Sequence, residues 1–227
     1  MIIGNGMIAN VFIEKFEDEN VIIFASGVSN SKETRSDEFK RELQLVHDTI
    51  LKYPNKLFVY FSTCSIHNNI SLYIQHKIEV EKFIIDNSYN YLILRLPIVL
   101  GLNQNKNQLI SFLFEKNINN EKIEIYKNAN RYLIDSNDLP KILEKLIEKK
   151  ITNEIIEIAF NNSIMIDDLL FILEKITKKT FIKIYSNSES PYFVNNTKFL
   201  HFFTELNENE FNIDIEKMLH KYYNQYL

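Results

Sequence analysis

Apolar runs and amphipathic stretches alternate along the first half of the chain. Asn20 to Ala25 (Asn-Val-Ile-Ile-Phe-Ala), Lys56 to Ser62 (Lys-Leu-Phe-Val-Tyr-Phe-Ser) and Tyr89 to Leu94 are continuous apolar runs. Runs of this length without strict alternation predict strands buried on both faces. Residues 1–3 read as the end of a further strand. Met7 to Phe16, Ser36 to Lys52 and Ser71 to Asn87 read as helices, with Phe39, Leu43, Val46 and Ile50 marking the period in the second. Strands alternating with helices predict an α/β fold, a parallel sheet with helices on both faces and right-handed crossovers. The later pattern predicts helices at 108–117, 137–149, 166–177 and 214–226, and short strands at 122–126, 154–159 and 181–185. This divides the chain into a sheet domain over 1–104 and a small lobe over 105–227, interleaved with it over the sheet's C-terminal edge. The aromatic cluster Phe199, Phe202, Phe203 and Phe211 is expected in the core of that lobe.

Composition narrows the class. The chain has 227 residues, 45% of them hydrophobic, and a net charge of −4. That balance is ample for a core and lacks the basic excess of a nucleic-acid partner. One cysteine, Cys64, excludes an internal disulfide and suits a reducing cytoplasm. No apolar run approaches the ~20 residues of a membrane span, and no signal peptide is visible. A cytoplasmic protein is expected.

The chemistry-bearing residues gather at strand ends. There are only four glycines, and two of them stand in Gly4-Asn5-Gly6-Met7-Ile8-Ala9. This Gly-x-Gly-x-x-Ala spacing, between a strand and a helix, suits a dinucleotide pyrophosphate. Gly4 permits the turn, Gly6 lets backbone approach the phosphates, and Ala9 keeps helix and strand close. The third predicted strand ends in Ser62-Thr63-Cys64-Ser65, and Tyr73 and Lys77 follow at helical i, i+4 spacing. A phenol titrates near pH ~10. A neighbouring ammonium favours its ionised form and makes Tyr73 a usable acid or base, while Thr63 can hold a substrate carbonyl or hydroxyl. The histidines show no metal-ligand spacing, so no metal is expected. His76 reads as a surface residue turned away from Lys77, and Cys64 as a buried structural thiol.

In their order and spacing these motifs resemble the extended short-chain dehydrogenase/reductases, the NAD-dependent epimerases, dehydratases and ketoreductases of nucleotide sugars. The resemblance runs through Ser26-Gly27, the Ser62–Ser65 segment, Tyr73, Lys77, Arg95-Leu96-Pro97 to Gly101 and Arg131 to Asp138, and on to the last residues. It implies a Rossmann-like sheet with a small C-terminal substrate lobe. It also implies Thr63, Tyr73 and Lys77 as catalytic residues, with Lys77 acting as electrostatic activator and ribose ligand. NAD or NADP would lie against Gly4, Asn5, Gly6, Met7, Ile8, Ala25, Ser26, Gly27, Ser62, Leu96 and Pro97 as well as Tyr73 and Lys77. The substrate, a nucleotide-linked sugar, would meet Thr63, Ser65, Ile98 and Arg131, and Asp138 would cap the following helix. Reduction of a 4-keto sugar or epimerisation is implied, and a homodimer through the helices at 36–52 and 71–87 is common in such enzymes. Cys64 and Ser65 stand where dehydratases of the family carry Asp-Glu.

The chain also departs from the pattern. Phe16 and Asn20 lie too close for the family's second and third strand units, since one βαβ crossover needs about a dozen residues. The acid that holds the adenosine ribose, expected ~20 positions after the glycines, has no counterpart. Ile98 replaces an asparagine. A catalytically inactive nucleotide-sugar-binding or partner-binding protein of the same fold is the alternative.

Overall fold

The computed structural model describes residues 1–67, 71–102, 108–190, 192–203 and 211–223. The first half consists of β1 (Ile2–Ile3), α1 (Met7–Ile13), β2 (Val21–Phe24), α2 (Ser36–Lys52), β3 (Leu57–Thr63), α3 (Leu72–Asn87) and β4 (Tyr91–Leu96). After β4 come β5 (Ile98–Leu100), α4 (Leu109–Ile118), β6 (Lys122–Lys127), β7 (Asn130–Arg131), β8 (Leu133–Asp135), α5 (Leu139–Glu148) and β9 (Glu154–Glu157). The chain closes with β10 (Ile164–Met165), α6 (Ile166–Thr177), β11 (Ile182–Glu189), α7 (Thr197–Phe202) and α8 (Ile215–Tyr223).

Five parallel strands form the main sheet in the order β1-β2-β3-β4-β9. The apolar runs are strands because both of their faces are covered. Val21, Ile23, Val59, Phe61, Leu92 and Leu94 pack against Phe12 and Phe16 and against Leu139, Ile142, Leu143 and Leu146 of α5. The alternate residues Ile22, Phe24, Phe58, Tyr60 and Ile93 pack against Val46 and Ile50 of α2 and Val80 and Ile84 of α3. Thus α1 and α5 cover one face, and α2 and α3 the other. Burying a side chain of this size is worth about 1.5–3 kcal/mol, and both faces contribute.

This arrangement corrects one expectation. The steps β1-α1-β2, β2-α2-β3 and β3-α3-β4 all move the same way across a parallel sheet. With α1 on one face and α2 and α3 on the other, the first crossover has the opposite hand to the next two. Crossovers of one hand were expected, because right-handed ones are nearly universal. A helix on the α1 face is where a crossover to a strand outside β1 would place it. Among the described residues no strand pairs with that outer edge.

The second half also differs from the expected lobe. β9 and α5 return to the main sheet, and Phe199, Phe203 and Phe211 join its core rather than that of the lobe. The lobe itself is built from α4, α6, α8 and three two-stranded ladders, β5 with β8, β6 with β11 and β7 with β10. Asp135 ties its parts together. It is buried, and it accepts from Lys221 Nζ at 2.8 Å, Asn212 Nδ2 at 3.1 Å, Asn137 N at 2.9 Å and the Tyr222 hydroxyl. Asp138 makes no side-chain cap for α5, contrary to expectation; its carboxylate accepts from Asn212 N at 2.9 Å.

Gly4 has φ +130°, and a Cβ there would lie 2.3 Å from the Ala25 carbonyl oxygen. A Cβ on Gly6 would meet nothing within 4 Å. Gly4→Ala is therefore expected to destabilise the protein by about 1–3 kcal/mol, and Gly6→Ala by less than about 1 kcal/mol. Urea unfolding of the two variants checks this; equal losses would refute the assignment of the turn's constraint to Gly4.

Candidate active site

A cavity of about 940 Å³ opens at the C-terminal ends of the sheet strands and reaches into the lobe. Ligands of open α/β sheets bind at this edge. Of the residues predicted for a cofactor, Gly6, Met7, Ile8, Ala25, Gly27, Ser62, Leu96 and Pro97 line it. Thr63, Ser65, Tyr73, Lys77, Ile98 and Arg131 line it too. Gly4, Asn5 and Ser26 stand outside its wall. The Ser26 carbonyl instead accepts from the Arg41 guanidinium at 3.3 Å.

β3 delivers Thr63 to the floor, and its hydroxyl oxygen accepts from Ser65 N at 3.1 Å. Ser71 caps α3 by accepting from Ile74 N at 3.2 Å, which sets Tyr73 and Lys77 one turn apart on that helix. Tyr73 and Thr63 line the same cavity. Burial first, then the charge of Glu42 and the nearby Tyr192, raise the Tyr73 phenol above its ordinary value, and Thr63 opposes them. This is the reverse of the expected activation by Lys77.

Lys77 is engaged elsewhere. Its Nζ donates to Glu42 Oε1 at 2.9 Å and to the Tyr60 hydroxyl at 2.9 Å. Glu42 of α2 is fully buried and also accepts from Tyr60 OH at 2.6 Å, from Val28 N at 2.7 Å and from His76 Nε2 at 2.9 Å. His76 is therefore buried, contrary to its reading as a surface residue. It stacks on Phe39 with ring centroids 4.6 Å apart. Burial alone would raise the Glu42 carboxyl; Lys77, His76, Tyr60 and the Val28 amide outweigh it and hold the group at about 2. Gly27 makes room for this pair, since a Cβ there would lie 2.8 Å from both Glu42 Oε1 and Lys77 Nζ.

The lobe side of the cavity carries a different kind of charge. Arg131 is desolvated, which lowers its pKa. It donates to the carbonyls of Asn130 at 2.6 Å and Ser190 at 3.4 Å, and its guanidinium carbon lies 5.6 Å from the Tyr192 ring centroid. No carboxylate among the described residues pairs with it. Tyr192, which sequence reasoning missed, also shares a 3.2 Å hydrogen bond with Ser65 Oγ. Ser62 Oγ and Gln108 Oε1 line the cavity buried and without a partner among the described residues. Arg95, by contrast, turns from the cavity to Glu81 at 2.6 Å and Glu157 at 3.2 Å. Cys64 is buried as expected, donates to the Arg95 carbonyl at 3.2 Å, and is pushed up by burial.

Comparison with solved structures places this architecture. UDP-glucuronic acid 4-epimerase from Bacillus cereus, solved with UDP-glucuronic acid and NAD, superposes with a TM-score of 0.71 at 16% identity, covering 98% of this chain and 80% of that one. The Bordetella bronchiseptica enzyme WbmG, solved with NAD and UDP, gives 0.70 at 11% identity, with the same coverage of 98% and 80%. The dTDP-glucose 4,6-dehydratase of Bacillus anthracis, solved with NAD, gives 0.64 at 15% identity, covering 96% and 79%. The chain has their fold. It is an α/β protein with a Rossmann-like parallel sheet, shortened relative to these structures. No family model and no curated protein matches the sequence. No described helix is long and apolar enough to cross a membrane.

The held-down Glu42 carboxylate has a consequence for stability. Its folded pKa is depressed from the ordinary 4.5 of a free glutamate to about 2, so its contribution is present above pH 4.5 and is lost as pH falls toward about 2. Urea unfolding between neutral pH and that limit should show this loss, and Glu42→Gln should show a shallower one. Identical acid slopes in the two proteins would contradict the buried ion pair.

Proposed function

We propose that the protein is an NAD(P)-dependent oxidoreductase or epimerase acting on a nucleotide-linked sugar, with reduction of a 4-keto sugar as its first assignment. The observation that carries this reading is the convergence of Thr63, Tyr73 and Lys77 on one cavity that runs from Gly6 to Arg131. The fold shared with nucleotide-sugar enzymes supports it.

The residues present fit the nicotinamide half of the cofactor. Open space lies over Gly6, and the unpartnered Ser62 hydroxyl faces the cavity beside Leu96 and Pro97. A bound nicotinamide supplies hydride transfer. Thr63 would hold the substrate oxygen, Tyr73 would exchange the proton with it, and Lys77, behind Tyr73, would meet the cofactor ribose. Arg131, charged and without a carboxylate, suits a diphosphate, and Ile98 would border the sugar. Cys64 and Ser65 after Thr63 offer no acid pair for dehydration.

The adenosine half fits less well. Among the described residues the main sheet ends at β1, where a dinucleotide fold normally carries the strands and the acid that hold it. This favours weak use of the adenosine, and it also gives weight to a non-catalytic nucleotide-sugar binder as the second reading. Pairing of two copies belongs to the proposal as well. Leu51 of α2 and Leu72, Ile78 and Ile85 of α3 are exposed.

Fluorescence titration tests the assignment. NADH or NADPH should bind at sub-millimolar concentration, and reduced nicotinamide mononucleotide within about tenfold of the better dinucleotide, a difference of about 1.4 kcal/mol. Absence of binding by all three would remove the oxidoreductase reading. Tyr73→Phe should keep cofactor binding and lose turnover of a keto sugar nucleotide by about 100-fold or more, the usual scale of general acid–base catalysis. Undiminished turnover would take Tyr73 out of the mechanism.

A further inference from the structure

The buried Glu42 has no part in the mechanism above, yet it holds one of its residues. Lys77 Nζ donates to Glu42 and to the Tyr60 hydroxyl, each at 2.9 Å. Its relation to Tyr73 is looser: Nζ lies 5.8 Å from that ring's centroid. Three further features maintain the arrangement. Gly27 leaves the space in which the pair meets. Tyr60, fully buried, donates to Glu42 Oε1 from the sheet side. His76 and the Val28 amide occupy the other carboxylate oxygen. A carboxylate with this many donors is a far stronger partner for an ammonium than a phenol is.

We propose that Glu42 is a positioning residue: it keeps the Lys77 ammonium on its own carboxylate, so that Tyr73 rests as a neutral phenol, the form that donates a proton in reduction. The proposal rests on the oxidoreductase reading for the meaning of that protonation state. Reduction needs a proton given to the carbonyl oxygen; oxidation of an alcohol needs a phenolate to take one. In the reducing step the carbonyl carbon gains hydride from a reduced nicotinamide, which is thereby oxidised. The carbonyl oxygen gains the Tyr73 proton, and the phenolate regains a proton from water. Epimerisation begins with the oxidising step and so would start from the phenolate.

The groups facing this cluster come from every element packed around it. They are Glu42 from α2; Tyr60 from β3; and Tyr73, His76, Lys77 and Glu81 from α3. Tyr192 approaches from the segment before α7. Burial, Glu42 and Tyr192 all act to keep the Tyr73 proton on, and Thr63 opposes them.

The ionisation of Tyr73 can be read without cofactor or substrate. Tyrosines labelled with ¹³C at Cζ report phenol and phenolate, and the Tyr73 signal is assigned by its loss in Tyr73→Phe. In the unmutated protein Tyr73 should remain a phenol up to pH ~10, the value of a free tyrosine. A midpoint below pH ~9 would mean that Lys77 already activates it, and would overturn the proposal whether or not Glu42→Gln folds. In Glu42→Gln the midpoint should fall by about one pH unit, a tenfold gain in acidity. A midpoint that stays in place would overturn the proposal, because a merely structural Glu42 changes stability and leaves the titration alone. Failure to bind NADH would remove the reaction assignment and leave both titrations readable.

Discussion

The carboxylate of Glu42 is the point at which four parts of the molecule meet. It joins the loop after β2 through Val28, its own helix α2, the strand β3 through Tyr60, and α3 through His76 and Lys77. An unpaired charge in this position would cost several kcal/mol, so all of these contacts must form together. The same carboxylate locates the backbone over which the cavity opens. Gly27, Val28 and Lys77 all belong to the cavity wall, so the shape of the site depends on this one ion-pair network.

The sheet imposes a second constraint. Because α1 and α5 share a face, Phe12 and Phe16 reach the same core as Leu139, Ile142 and Leu146. That packing keeps α1 where it is, despite the hand of its crossover. Placing α1 on the other face would leave the apolar side of α5 without this cover. The core on the α1 face therefore outweighs the local preference for crossover hand.

Much of this was legible in the sequence. α2 and α6 occupy the expected residues, and the apolar runs became β2, β3 and β4, with ends shifted by a few residues. Thr63, Tyr73 and Lys77 do converge on one cavity, as their positions after a buried strand and on one helix face implied. The partner of Lys77 was harder to see. Glu42 sits in the helical stripe formed by Phe39, Val46 and Ile50, and a carboxylate in an apolar stripe is a signal of a buried ion pair. Tyr60 and His76 carry no comparable signal, because a tyrosine in a strand and a histidine beside a lysine are compatible with many environments. Strand order and the face chosen by α1 depend on contacts between residues far apart in the chain. Hydrophobic period does not encode them, which is why β9 and the Phe199 cluster were assigned to the lobe.

The edge strand β1 is only two residues long and pairs on one side, with β2. So short an edge offers almost no main-chain hydrogen bonds to an incoming strand. Extending the sheet by strand addition is therefore a poor way to close the cavity beside β1. A surface that closed the cavity there would have to do so with side chains laid across the strand end. The size and polarity of that surface would set which ligands the cavity admits.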